Sequence, residues 1–437
     1  MRASSDALPQ DHPLRRELNN EVHARPPDAM VAPTRLSYLV LRSEPGGRDR
    51  ERAALEDLVR RFDGPALPQA GNHFSADLGP FRVTWEQHTE FVRYTFLVDD
   101  AADGEDPPGF GAPVITRVPS EWLGALSERL MVASHVLLLP ATPQSVDPGA
   151  VADTHFNGNE LVGAVIEGGY ETALTDFRIH GDRFSRLVVF DHAGGARQTG
   201  RSVQRLLELD SYRIMALLAL PVARALVPRI EAAERELAEL ADALSRATPE
   251  DEAALLERLS RLEADLSLED STSHARFSAA AAYYAVVRSR VRDLREERIE
   301  GLQTFQEFTE RRLAPAMNTC VAVSERLNDA IARTARMIQT LATRVEMTRE
   351  QQTQAVLRSM NRRVELQLRL QGTVEGLSVA AISYYVVGLV GYAVKGLKSA
   401  GVPLNEDLVI GISIPVVVLA IAWAIRRVRH AVTDGDD

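Results

Sequence analysis

Cysteine is almost missing from this sequence: Cys320 is the single one in 437 residues, which excludes an intramolecular disulfide framework and fits a reducing compartment. An excess of cations is missing as well. The net charge of −11 argues against nucleic acid as a partner and is read as solubility. The first 30 residues are polar and rich in Pro, His, Asn and Arg, so no secretory signal is expected there. No phosphate loop, dinucleotide fingerprint, G-x-S-x-G elbow or H-E-x-x-H helix occurs, and no basic pair neighbours Cys320. An enzymatic role is therefore not expected, and no cofactor is assigned.

Charge is also absent from two stretches near the C-terminus, Gly376–Val394 and Leu408–Ile425, of 19 and 18 residues. At ~1.5 Å per residue each just spans a ~30 Å hydrocarbon core, so the pair reads as a helical hairpin through a bilayer. A buried core hairpin of a soluble protein is the alternative. Arg358, Arg362, Arg363 and Arg369 precede the first stretch, and Arg426, Arg427 and Arg429 follow the second. Lys395 and Lys398 between them are balanced by Glu406 and Asp407. Short cation-rich flanks stay inside, which predicts an inner-membrane protein with both termini cytoplasmic. The mean hydropathy of −0.14 leaves most of the chain in water.

The expected fold is α+β: a mixed α/β cytosolic domain, a bundle and stalk of long helices, then the two-helix hairpin. In residue ranges this reads as a polar N-terminal segment (1–33), the α/β domain (34–195), a helical domain (196–300) with a hairpin at 230–268, a stalk helix (301–373), a first span (374–397), an external loop (398–407), a second span (408–426) and a tail (427–437). Alternating apolar residues predict strands at Arg35–Arg42, Phe81–His88, Phe91–Val98, Val132–Leu139, Leu161–Glu167, Thr172–Ile179 and Phe184–Phe190. Helices are expected at Arg50–Phe62 and Ser120–Met131. Thr248-Pro249-Glu250-Asp251 reads as a helix start, with a break near Asp270 before a further helix from Ser271 and another at Gly301. Beyond Pro315 no Gly or Pro occurs until Gly372, and Leu327, Ile331, Thr334, Ile338, Leu341, Val345, Thr348, Gln352 and Ala355 recur at spacings of four and three. This seam, on a helix of roughly 80 Å, packs either on the chain's own helices or on another copy in a homo-oligomeric stalk.

Candidate functional residues fall in three places. Gln371, Ser378, Tyr385, Tyr392 and Ser399 recur at intervals of seven, with Gly388 and Lys395 close to the same stripe. The stripe lines a pore or packs against another helix. Neither uncharged stretch holds an acidic residue, so Glu375, Glu406 and Asp407 at the mouths are the residues an oligomer would repeat as rings, or simply solvated helix ends. Second, Glu21 and His23 flank one residue and with His12 offer imidazole and carboxylate ligands to a divalent cation, at a spacing that matches no strong metal signature, while the run Asn19-Asn20-Glu21-Val22-His23-Ala24-Arg25-Pro26-Pro27 also reads as an ordered turn segment. Third, Asp153, His155, Asn157, Asn159 and Glu160 form a polar loop that Arg178 and His180 can meet.

The run from His12 to Pro27, with its structural signature Asn19, Asn20 and Arg25, resembles a bacterial family of uncharacterised membrane-anchored proteins. So do Gly376-Leu377-Ser378 and Tyr384-Tyr385-Val386-Val387-Gly388-Leu389-Val390-Gly391-Tyr392. That resemblance implies a bilayer partner and a bacterial inner-membrane location, and no catalytic residues. The overall layout is similar to CorA-type two-span magnesium channels. Their Gly-Met-Asn signature is replaced here by Gly391-Tyr392-Ala393, so magnesium selectivity is not implied.

Overall fold

The computed structural model describes residues 10–16, 18–19, 27–44, 46–68, 71–99, 109–126, 129–399 and 405–433. The chain divides into two compact units, Met1–Arg246 with Glu257–Met337, and Ala247–Leu256 with Ile338–Asp437. The first begins with β1 (Thr34–Arg42), α1 (Arg48–Arg61), β2 (His73–Asp77), β3 (Arg82–Gln87), β4 (Phe91–Asp99), α2 (Ser120–Ala125), β5 (Leu130–Pro140), α3 (Pro148–His155), β6 (Val162–Ile166), β7 (Glu171–Thr175) and β8 (Ser185–Asp191). Helices then take over as α4 (Ala196–Leu217), α5 (Ala219–Arg246) and α6 (Glu252–Asp293). A two-residue β9 (Glu297–Arg298) returns to the sheet, and α7 (Phe305–Phe308) and one π turn lead into α8 (Ala314–Ser399), followed by α9 (Glu406–Thr433).

One mixed sheet holds all nine strands in the order β2-β3-β4-β1-β5-β8-β7-β6-β9. Every pair is antiparallel except β5 with β8. Thr-Arg-Leu-Ser-Tyr-Leu-Val-Leu-Arg in β1 is buried on both faces, as a central strand covered on each side must be. One face carries Leu39 and Leu41 against Leu55 and Leu58 of α1 and Trp122 of α2. Farther along the same face, Leu137, Leu139, Leu174 and Val188 close over Val151 and Phe156 beside α3. α4 covers the other face, where the Tyr38 hydroxyl and Ser211 Oγ stand 2.8 Å apart. Gly200 makes one close approach possible: a β-carbon there would lie 1.8 Å from the Asp28 carbonyl oxygen, so only glycine lets the entering chain lie on α4. The Met30 amide donates to the Ala196 carbonyl at 2.9 Å in the same contact.

The expected order, a mixed α/β sheet domain, then long helices, then an apolar C-terminal helix, is the observed one. Local boundaries differ. The helix expected over Ser120–Met131 ends at Ala125, because β5 takes the residues from Leu130 into the sheet. The strand expected to reach Ile179 stops at Thr175, where the Asp176 carboxylate accepts the Arg178 amide in a turn. No break occurs near Asp270: the hydroxyls of Thr272 and Ser273 both donate back to the Glu269 carbonyl, so α6 continues to Asp293. The interruption at Gly301, in the left-handed region at φ +84°, is where it was expected.

In the second unit, two helical segments are long and apolar enough to cross a membrane, one at the end of the stretch Phe305–Leu397 and the other Asp407–Ile425. From residue 349 to residue 374, α8 is exposed on every side.

Candidate functional site

The strand register sets Glu86 directly opposite Arg93 in the β3–β4 pair. One guanidinium nitrogen of Arg93 donates to both Glu86 oxygens at 2.6 Å, and the other reaches Glu208 Oε1 of α4 at 3.4 Å. Arg290 of α6 closes the chain through Nε to Glu208 Oε2 at 2.5 Å, with Gln204 donating to Oε1 at 2.9 Å. Burial alone would raise the Glu208 carboxyl, but Arg93 and Arg290 hold it below the usual carboxylate range. Burial likewise works against the charge on Arg93, which Tyr38, Glu86 and Glu208 more than offset. Tyr38, facing the same network, is pushed up to about 12 by burial and stays neutral. A polar cavity of about 30 Å³ beside Asp28, Thr84 and Arg93 has room for one or two waters. A second tie lies alongside: Glu90, in the β3–β4 turn, accepts from Arg276 at 2.7 Å and from the Tyr283 hydroxyl at 2.8 Å, both on α6. Two arginines balance two carboxylates, so this arrangement joins the sheet to α4 and α6 and offers no free acid or base.

On the opposite face the register of β1 and β5 pairs Ser37 with His135. Ser37 Oγ lies 2.9 Å from His135 Nδ1 and also accepts the Ile115 amide at 3.0 Å, so this buried hydroxyl is held on both sides. Phe184 stacks on the His135 ring at 3.9 Å between centroids, and Asp182 Oδ2 is 4.0 Å from Nε2. Burial lowers His135 to about 4, with Asp182 opposing and Arg186 reinforcing that shift. Burial, then Arg186, lowers His155 as well. The polar loop and His180 meet at Asp176, which accepts Asn159 Nδ2 at 2.8 Å and stands 2.9 Å from His180 Nε2 in an alignment short of a hydrogen bond.

The apolar hairpin has two unlike faces. Ser383 and Val394 of α8 are each 5% exposed, and Gly391 faces Ile410 of α9, whose Cδ1 stands 3.7 Å from where a β-carbon would be. Tyr385 and Tyr392 are 72% and 75% exposed. Each tyrosine is two residues, roughly 200° around the helix, from a buried one. Ser378 Oγ turns inward to the Val374 carbonyl at 2.8 Å, and a β-carbon on Gly388 would meet nothing. Lys395 is exposed, and Glu375 is half-buried just before the first apolar stretch. Asp407 is exposed at the start of α9, while the side chain of Glu406 lies outside the described residues.

Asn20, Glu21, His23 and Arg25 also lie outside the described residues, and Asn19 is helical. His12 is exposed and accepts the Leu14 amide at 3.2 Å. Among the described residues no group of three or more His, Cys, Asp and Glu is placed to hold a metal ion; the proposed partners of His12, Glu21 and His23, lie outside them. The seam on α8 divides along its length: Leu327, Thr334 and Leu341 are buried by the chain's own residues, Ile331, Ile338, Val345 and Thr348 are half-buried, and Gln352 and Ala355 are exposed. Sequence reasoning missed the Arg93 network, whose partners are 7, 115 and 82 positions apart.

The family model described as "Protein of unknown function (DUF3422)" matches residues 10–432. The chain belongs to this family. No curated protein matches it. In this DUF3422 chain the matched range takes in the sheet, the long helices and both apolar helices, so the apolar pair belongs to the family's architecture as much as the sheet does.

Proposed function

We propose that this DUF3422 chain is a homo-oligomeric protein of the bacterial inner membrane with a CorA-like layout, acting as an ion channel or transporter without enzymatic chemistry. Both termini are cytoplasmic, and the α/β domain senses a ligand whose binding the long helix passes to the spans. The observation that carries this reading is the uncovered stripe: Tyr385 and Tyr392 point away from the face that α9 covers. A phenolic hydroxyl at membrane depth needs a partner, and neighbouring copies or a water-filled path would supply one. The exposed stretch from residue 349 to residue 374 supports the same oligomer, since Val356, Leu357, Met360, Val364, Leu366, Leu368 and Leu370 are each more than half exposed.

A second reading, a non-conducting scaffold or ligand-binding anchor, is favoured by one feature. Neither uncharged stretch holds a carboxylate, and Lys395 stands near the stripe, so a cation such as a divalent metal finds acidic groups only at Glu375, Glu406 and Asp407.

Light-scattering mass of the protein in mild detergent, corrected for bound detergent, tests the oligomer, and cation flux in liposomes separates the readings. A defined oligomer that conducts supports the channel, a silent oligomer supports the scaffold, and a monomer removes the channel and leaves the ligand-binding anchor. Topology has an unusually direct assay, because Lys395 and Lys398 are the only lysines in the chain. A membrane-impermeant amine reagent should modify them from the periplasmic side of spheroplasts; modification only in inverted vesicles would reverse the orientation.

A further inference from the structure

Between α6 and α8, within the first unit, lies a groove of about 450 Å³, inside the ~300–1,000 Å³ range of small-molecule sites. Its floor is apolar, with Phe277, Ala280, Met317 and Cys320 all buried. The sequence explains why it stays open. Ser278 through Ala282, and Ala285, give α6 no side chain long enough to fill the space. The α6 residues along it run from His274 to Arg288, about 21 Å of helix at ~1.5 Å per residue. That is a slot for an extended hydrocarbon chain rather than a compact polar ligand.

One end is positively charged. Arg288 lies with its guanidinium 6.0 Å from the centroid of the Tyr284 ring and, among the described residues, forms no ion pair with a carboxylate. Arg292, one turn on, donates to the Arg288 carbonyl, and neither it nor Arg311 and Arg312, shortly before Met317, forms an ion pair among the described residues. The neighbouring Arg290 and Arg295 are neutralised by Glu208 and Glu167. The other ionisable groups at the groove are His274, which stands 3.9 Å from Asp270, and Glu325 on α8.

We propose that this groove binds a long-chain fatty carboxylate, its tail over Phe277, Ala280, Met317 and Cys320 and its carboxylate at Arg288. The site lies wholly in the first unit and stands whether or not the spans conduct.

Cys320, the chain's single cysteine, is a built-in reporter on the groove floor. The full chain in phosphatidylcholine nanodiscs is alkylated with iodoacetamide while palmitate is titrated. Palmitate is expected to slow alkylation saturably. Arg288→Gln should weaken that protection about tenfold, and Ala281→Trp, which fills the groove from an exposed position, should abolish it. Glu325→Gln should leave it unchanged or tighten it. Spin-labelled stearate gives a second measure that does not depend on the thiol: an immobilised spectrum with the native chain and a free one with Ala281→Trp. The proposal falls if palmitate gives no saturable protection, if dodecyltrimethylammonium protects equally well, or if protection survives both Arg288→Gln and Ala281→Trp. Protection by phosphatidylglycerol discs without palmitate would make the ligand a bilayer lipid and overturn the fatty-acid assignment.

Discussion

The two units differ in what they leave exposed. In the first, Arg93, Glu86 and Glu208 are buried with Trp85, Tyr94 and Phe96, and with Arg290 on Glu208 the charges cancel. In the second, Leu370, Leu377 and Tyr392 stand more than two-thirds exposed, and the buried residues include a serine, Ser383. Apolar surface costs about 25 cal/mol per Å² when left in water. A helix showing leucine on all sides is therefore complete only in surroundings that cover it, whereas the first unit supplies its own. The first unit encloses its own apolar residues, and the second leaves much of its apolar surface uncovered.

The sharpest way to break that contrast is Arg93→Met. It leaves Glu86 and Glu208 buried without the guanidinium and should cost about 3–5 kcal/mol, as removal of one partner of a buried ion pair does. Denaturant unfolding followed through the buried Trp85 and Trp122 reads it. A loss below about 1 kcal/mol would mean that the network is already hydrated.

Next in size is a pH effect confined to the first unit. His135 titrates at about 4 when folded against an ordinary 6.5, so between those values the unfolded chain binds more protons than the native one. Stability should be full above pH 6.5 and lost as pH falls toward 4, by about 3 kcal/mol at ~1.4 kcal/mol per pH unit. His135→Gln should flatten this part of the slope; an unchanged slope would assign it to carboxylates alone.

In the second unit the same assays should barely move. Leu370→Glu is expected to change unfolding of the first unit by less than about 0.5 kcal/mol while lowering the mass of the assembly in detergent. A retained mass would show that this stretch of α8 is solvated. Tyr385→Phe is the gentlest probe: one interhelical hydrogen bond, about 0.6 kcal/mol, seen as weaker association with no shift in the fold.

Much of this organisation was readable from residue order, and the parts that were not share a cause. Thr248-Pro249-Glu250-Asp251 announced the start of α6, and Asp251 does accept both the amide and the hydroxyl of Thr248. By contrast, Ser271-Thr272-Ser273 looked like a helix start and is mid-helix, because a hydroxyl can serve a cap or its own helix and only the surroundings decide. His73–Asp77 is an edge strand of five residues, too short for its alternation to stand out. The periodic stripe on α8 was legible because helical phase is local. The Arg93 network and the groove were not, since each brings together residues from distant parts of the chain.

α8 also keeps phase. Its 86 residues run without interruption from Ala314 to Ser399, so any insertion in its exposed stretch is felt as a rotation of everything beyond it. Seven added residues return the downstream side chains to within about 20° of their original heading, whereas two turn them by roughly 200°. An insertion series between residues 349 and 374 is thus a protractor built into the chain: activity that returns with every seventh residue would mean that direction matters, and activity that declines steadily with length would mean that reach does.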